Sequence, residues 1–246
     1  MRHRFFADNK DIADDEIVLT GENAAHAAVL RLGIGEEIVV CNGAGMDYRC
    51  VVFSCNKSET KAKVLHKAPN TAEPFIAVTL FQALPKIGKM DEIVEKCTQL
   101  GISRVVPIIT SRCVTKASDR DTKKTARWQK IAQSAASQSR RGQIPQICDI
   151  MTLEAALREA DAHNTAFVCY EGEERFPLKA FLHNLPQSPS SIAFFVGPEG
   201  GFALDEMVKF KDAGIAAVSL GPRILRTELA GAVVLANIMY ELEKTT

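Results

Sequence analysis

The sequence predicts an α/β fold with a parallel sheet, preceded by a small β-rich module. Three observations predict it. Apolar runs at 76–84, 105–109, 166–170 and 192–196 alternate with helical stretches. Unbroken apolar strands between helices belong in a parallel sheet covered on both faces. Before residue 70 the pattern is different, with short extended runs and turns. Between the two lies Pro69-Asn70-Thr71-Ala72-Glu73-Pro74, a composition break that reads as a linker. The expected domains are therefore 1–70 and 71–246.

In the first module, Glu37-Ile38-Val39-Val40-Cys41 and Tyr48-Arg49-Cys50-Val51-Val52-Phe53 flank Asn42-Gly43. Two β-prone runs around that dipeptide make a hairpin. Thr60-Lys61-Ala62-Lys63-Val64-Leu65 alternates polar and apolar residues and reads as a third strand. Residues 26–32 read as a short helix stopped by Gly33. Beyond the linker, helices are expected at 90–100 (closed by Gly101), 125–139, 153–160, 204–213 and 227–243. The last strand is expected at 216–220. No repeat of solenoid period interrupts the pattern.

Composition narrows the function. The chain has 246 residues, 30 Lys+Arg against 30 Asp+Glu, and 46% apolar residues. That balance excludes a uniformly basic coat protein, an acidic disordered tail and a collagen-like fibre. The seven cysteines are odd in number and no pair has C-x-x-C spacing, so reduced thiols are expected, with neither a disulfide framework nor a metal site. The start, Met1-Arg2-His3-Arg4-Phe5-Phe6-Ala7-Asp8, is broken by charge and does not read as a signal peptide. No apolar run approaches the roughly 20 residues of a membrane span. A cytoplasmic protein without a membrane partner is expected.

The charge is unevenly spread. Residues 104–141 hold 10 basic and 2 acidic side chains, a net of +8, whereas 1–103 net −2 and 142–246 net −6. A block this one-sided can face nucleic-acid phosphates, or can be a solvated helix whose charges pair with the acidic segment. Trp128, the only Trp, lies within it and either stacks on a base or sits in the core.

Two glycine loops carry the strongest local signal. The strand 192–196 runs into Gly197-Pro198-Glu199-Gly200-Gly201-Phe202, and the strand 216–220 runs into Gly221-Pro222-Arg223-Ile224-Leu225-Arg226. Glycines at the carboxyl end of a buried strand let backbone approach a ligand, and that edge is where α/β sheets bind small molecules. Neither loop has the P-loop or dinucleotide fingerprint. Paired backbone-rich loops suit an adenosyl ligand; a tight strand-to-helix turn is the structural alternative for the first loop taken alone.

These residues, together with Arg2 through Phe6, His26 with Val29-Leu30-Arg31, Lys86 with Lys89-Met90, Glu95 through Gly101, and Gln138-Ser139-Arg140 with Pro145, cover nearly the whole chain. In that order they resemble the ribosomal RNA small subunit methyltransferase E family of the SPOUT superfamily. The resemblance implies a PUA-like N-terminal RNA-binding domain, a SPOUT-type parallel sheet with a C-terminal trefoil knot, and a homodimer. It implies S-adenosyl-L-methionine as cofactor and methylation at N3 of uridine 1498 in 16S rRNA of the small ribosomal subunit. Cofactor binding then falls to Gly197, Pro198, Glu199, Gly200, Gly201, Leu220, Gly221, Ile224, Leu225 and Arg226. Two departures stand out: Ala203 replaces the family's Ser or Thr cap, and Leu229 replaces a Thr.

Uridine N3 carries a proton at neutral pH, so methylation needs a base or a cation that stabilises the developing anion. Arg140 or Arg226 is the candidate stabiliser and Glu228 the candidate acceptor, with Glu199 in reserve. Glu228 is equally explained as an acidic residue favoured in the first turn of a helix. RNA contacts are expected at Arg2, Arg4, Arg31, Lys123, Lys124 and Arg127. Two alternatives remain: an RNA-binding protein that has lost catalysis, and a knotted methyltransferase acting at another RNA position.

Overall fold

The computed structural model describes residues 2–13, 15–114, 121–185 and 189–242. Lys116 and Arg120 of the basic block, and Glu243 of the expected last helix, lie outside them. The chain divides into two compact units, 1–73 with 136–144, and 74–135 with 145–246. The sequence reading assigned 136–144 to the second domain. The chain instead returns this segment to the first unit, which no local pattern announces.

The first unit is a five-stranded sheet. Its strands are β1 (His3–Phe6), β2 (Glu16–Thr20), β3 (Glu37–Cys41), β4 (Met46–Cys55) and β5 (Glu59–Pro69), in the order β1-β3-β4-β5-β2. The β1–β3 pair is parallel and the others are antiparallel. Inward residues Phe5, Ile17, Leu19, Ile38, Val40, Cys50, Val52 and Ala62 form one buried core. The expected hairpin is β3–β4, where the Asn42 side chain accepts from the Ala44 and Met46 amides at 2.9 and 3.1 Å. Strands β1 and β2 carried no sequence signal strong enough to be read.

Helix α1 (Gly21–Val29) begins and ends earlier than expected. Gly33 is not its stop. Arg31 takes the left-handed position instead, at φ 54°, with Arg31 N–H bonded to Ala28 O at 3.0 Å and Leu32 N–H to Ala27 O at 3.1 Å. Helix α3 (Asp121–Gln138) ends identically. Arg140 has φ 63°, its N–H reaches Ser137 O at 3.3 Å, and Arg141 N–H reaches Ala136 O at 2.9 Å. Both are Schellman closures with arginine where glycine is the usual residue. Arg141 turns inward, buried, onto Glu73 at 2.8 Å. The second Glu73 oxygen accepts the Gly142 and Gln143 amides at 2.7 and 2.9 Å.

The second unit is a seven-stranded sheet, parallel throughout. Its strands are β6 (Ala77–Ala83), β7 (Arg104–Ile109), β8 (Gln146–Ile147), β9 (Met151–Thr152), β10 (Thr165–Cys169), β11 (Ser191–Val196) and β12 (Ala216–Val218). The order is β12-β10-β11-β6-β7-β8, with β9 also on β7. Helices α2 (Lys89–Gln99), α4 (Leu153–Ala160), α5 (Leu178–His183), α6 (Leu204–Asp212) and α7 (Thr227–Leu242) accompany it, with most of α3. This is the α/β parallel sheet expected; the two-residue strands β8 and β9 are too short to read from pattern.

Phe81 and Phe195 stack at 4.5 Å, and Phe210 meets Phe195 and Phe202 edge-on at 5.0 and 4.9 Å. Trp128 is buried, so the core reading holds for it. Helix α7 buries Val234, Leu235 and Ile238, and its Gly231 lies so close to Leu80 that a Cβ would meet it at 3.2 Å. The apolar residues Leu229, Val233, Ala236 and Tyr240 of the same helix stay outside this core. Leu229 is 44% and Tyr240 88% exposed.

Replacing Arg31 with glycine removes a left-handed penalty of roughly 1–2 kcal/mol and adds glycine's unfolded-state entropy cost of about 0.5–1 kcal/mol. Arg31→Gly is expected to raise stability by about 0.5 kcal/mol, read as a higher urea midpoint at unchanged slope.

Candidate active site

Because β10, β11 and β12 run parallel, their carboxyl ends share one sheet edge. A cleft of about 350 Å³ opens there. Three strand exits wall it: Cys169-Tyr170-Glu171 after β10, Val196 to Glu199 with Gly201 after β11, and Ser219 to Gly221 with Arg223 to Arg226 after β12. Lys89, Thr227 and Ala230 complete the lining.

The β11 exit is a tight turn closed by Gly201 N–H to Pro198 O at 2.9 Å. Two of its glycines stand where a side chain would be crowded, and one of them is left-handed. Gly201 has φ 65°, and a Cβ there would stand 2.1 Å from Glu171 Oε1; a Cβ on Gly197 would stand 3.2 Å from the Gly201 backbone. At the β12 exit, Gly221 has φ 102° with open space around it, so its glycine serves the turn itself.

Thr227 fastens this edge. Its buried hydroxyl donates to Gly197 O at 2.6 Å and accepts from Gln82 Nε2 at 2.9 Å. The last helix is thereby held to the β11 exit and to β6 by one side chain.

Lys89, the first residue of α2, reaches two carboxylates. Its Nζ stands 3.0 Å from Glu228 Oε2 and 3.2 Å from Glu199 Oε1. The hydrogen bond to Glu228 leads in raising the Lys89 pKa, against partial burial. The Glu228 carboxyl is held below its ordinary range first by its own backbone N–H and then by Lys89. For Glu199 burial opposes ionisation, but its own N–H, the Lys86 amide and Lys89 together outweigh it and lower the pKa.

The sequence-predicted cofactor residues meet here with one exception. Gly197, Pro198, Glu199, Gly201, Leu220, Gly221, Ile224, Leu225 and Arg226 line the cleft. Gly200 does not; its carbonyl accepts from Arg112 Nη1 at 2.6 Å. Glu228 sits behind Lys89 rather than on the lining, and Arg140 belongs to the first unit. Ala203 lacks a capping oxygen, yet Glu206 still accepts the Ala203 amide at 2.8 Å and the Ser111 amide at 2.7 Å. Half of the capping box survives. Leu229 is exposed and is not among the lining residues.

Among the expected RNA residues, Arg4 needs correction. Its guanidinium is almost fully buried, donating to Asp47 at 3.0 Å and to Arg141 O at 2.9 Å, so it braces the first unit. Arg31 is exposed. Arg2 pairs with Glu37 at 2.5 Å and Arg127 pairs with Asp91. Lys123 and Lys124 lie on α3, the first exposed and the second half-buried. Sequence reading missed the third exit, Tyr170-Glu171, which has no glycine-proline pair, and it gave Lys89 no role. No group of three or more His, Cys, Asp or Glu could hold a metal ion among the described residues. None of the helices within them is long and apolar enough to span a membrane.

Comparison with known proteins follows this geometry. An RNA methyltransferase domain model matches residues 71–239, and an RNA methyltransferase PUA domain model matches 19–65. The ribosomal RNA small subunit methyltransferase E of Bacillus subtilis is 32% identical over 231 residues, 92% of this chain and 90% of that protein. The chain belongs to the ribosomal RNA small subunit methyltransferase E family. The family member from Mycobacterium tuberculosis is 33% identical over 241 residues, 95% of this chain and 90% of that one. The family's enzyme from Neisseria gonorrhoeae, solved bound to S-adenosyl methionine, matches with a TM-score of 0.88 at 30% identity, over 98% of each chain.

Thr227→Val keeps the shape but removes the hydroxyl, leaving the half-buried Gly197 carbonyl without that donor and the buried Gln82 amide without that acceptor. Stability is expected to fall by about 1–3 kcal/mol in urea unfolding.

Proposed function

We propose that this protein uses S-adenosylmethionine to methylate N3 of uridine 1498 in 16S rRNA of the small ribosomal subunit. One observation carries the reading: a glycine-walled cleft at three parallel strand ends, in a chain aligned nearly end to end with relatives of that name. The cleft fits the cofactor. Its volume of about 350 Å³ lies within the range of small-molecule sites. Gly197 and Gly201 bare the backbone, and Leu220, Ile224 and Leu225 offer apolar surface beside main-chain groups. Glu171 lines it with a carboxylate that has no ion-pair partner among the described residues, ready for hydroxyl or cationic groups of the ligand.

Bound there, S-adenosylmethionine supplies a methyl carbon on a sulfonium leaving group. The chain holds donor and acceptor in line. In a duplex, pairing occupies N3, so the target base enters unpaired or flipped out. Arg226 stands at the cleft; its guanidinium is 85% exposed. Arg140 is better assigned to RNA phosphate, with Arg2, Arg31, Lys123, Lys124 and Arg127 as further contacts. Glu228 is ionised but a weak base, because the same bonds that keep it charged lower its proton affinity.

The reading includes a trefoil knot around the cofactor loops, which the family resemblance implies. It also includes a cytoplasmic homodimer. The outward apolar stripe of α7, Leu229 to Tyr240, is a surface that a second copy would cover across a two-fold axis.

Calorimetric titration with S-adenosylmethionine is expected to give one-to-one binding per chain. Affinity for 16S rRNA should fall with salt at a log–log slope on the order of −4, as for about six phosphate contacts to single strands. Absent cofactor binding, or a flat salt response, contradicts the reading.

A further inference from the structure

Lys89 occupies an unfavourable place for a cation, the first turn of a helix, where the dipole prefers negative charge. What holds it there comes from elsewhere in the chain. Glu199 arrives from the β11 exit and Glu228 from the start of α7, at 3.2 and 3.0 Å. Glu199 is itself fixed by the Lys86 amide, at 3.1 and 3.3 Å from its two oxygens. An ammonium has three N–H donors and no acceptor. Two are committed to these carboxylates, and Lys89 lines the cleft, so the third is left for a ligand.

We propose that Lys89 is a catalytic residue: its remaining N–H donates to a carbonyl oxygen flanking N3 of the target uridine and stabilises the deprotonated base. The proposal rests on the methyltransferase reading of the cleft. The N3 proton leaves to water, the N3 lone pair forms the bond to the methyl carbon, and the carbon–sulfur bond breaks with its electron pair going to sulfur.

Preorganisation favours Lys89 over Arg226. A donor fixed before the reaction stabilises developing charge without reorganising. Lys89 is fixed from two sides, whereas Arg226, among the described residues, approaches one carboxylate, Glu228, at 3.9 Å. The charged groups around the ammonium are Glu199, Glu228 and Arg226, with Lys96 further along α2; Glu171 and Arg223 share the cleft lining. Two cations at the cluster's centre thus face two carboxylates. Both carboxylates have lowered pKa values, so neither is a base poised near neutrality, and the raised Lys89 pKa keeps the ammonium charged. Anion stabilisation is the catalysis this cluster can supply.

The test is single-turnover methylation by the full-length protein, with calorimetry of S-adenosylmethionine binding alongside. Lys89→Met is expected to lower the rate constant about 100-fold, the usual effect of removing one such donor. That loss should exceed any loss of cofactor affinity. RNA carrying 5-fluorouridine at the target, whose N3 is more acidic, should narrow the gap between wild type and K89M. Lys89→Arg, which keeps the charge, should retain more rate than K89M and supplies the comparison if K89M does not fold. An unchanged rate in K89M, a loss explained wholly by cofactor affinity, or an equal defect on uridine and 5-fluorouridine overturns the proposal. A wild-type protein that binds no S-adenosylmethionine fails earlier, and overturns the methyltransferase reading itself.

Discussion

One hydroxyl organises the catalytic unit. Thr227 donates to the carbonyl that ends β11 and accepts from the Gln82 amide on β6, so the last helix starts at a point fixed by two adjacent strands. Everything at the cleft inherits that fixed point. Arg226 precedes it, Glu228 follows it, and Lys89 is drawn in through Glu228. The parallel register then places the exits of β10, β11 and β12 side by side, which is why glycines cluster where they do. Gly201 is left-handed and pressed against Glu171, and Gly197 is pressed against Gly201.

Much of this was legible before any coordinates. Continuous apolar strands with helices between them gave the parallel sheet, and two glycine-proline loops gave nine of the cleft residues. The exit after β10 was not legible, because Tyr170 and Glu171 carry no turn signature; only strand order brings them to the edge. Lys89 was hidden for a related reason. Its partners lie 110 and 139 positions away in the chain, and a lysine opening a helix reads locally as surface. The stop of α1 was misplaced because Gly33 offered the expected glycine while Arg31 took the left-handed position. No local pattern marks 136–144 as part of the first unit either; its anchors, Glu73 and Arg4, are distant in sequence.

The arginines show how far residue type alone falls short of role. Arg4 and Arg141 are buried braces, each committed to a carboxylate of its own unit. Arg31 and Arg140 are exposed, in a backbone conformation that costs an L-residue roughly 1–2 kcal/mol. A side chain kept at such a cost is a candidate for contact with something outside the fold. The zero net charge is similarly a sum of unlike parts, since the excess of +8 over 104–141 is offset elsewhere. It places no limit on RNA binding by that segment.

The central claim is that this cleft delivers a methyl group to one uridine nitrogen. Its most direct test is mass analysis at nucleotide resolution of small-subunit rRNA, taken from cells lacking the protein and incubated with it and S-adenosylmethionine. The account predicts a single new methyl group, on N3 of uridine 1498. No methylation, or a methyl group on ribose or on another nucleotide, would contradict it.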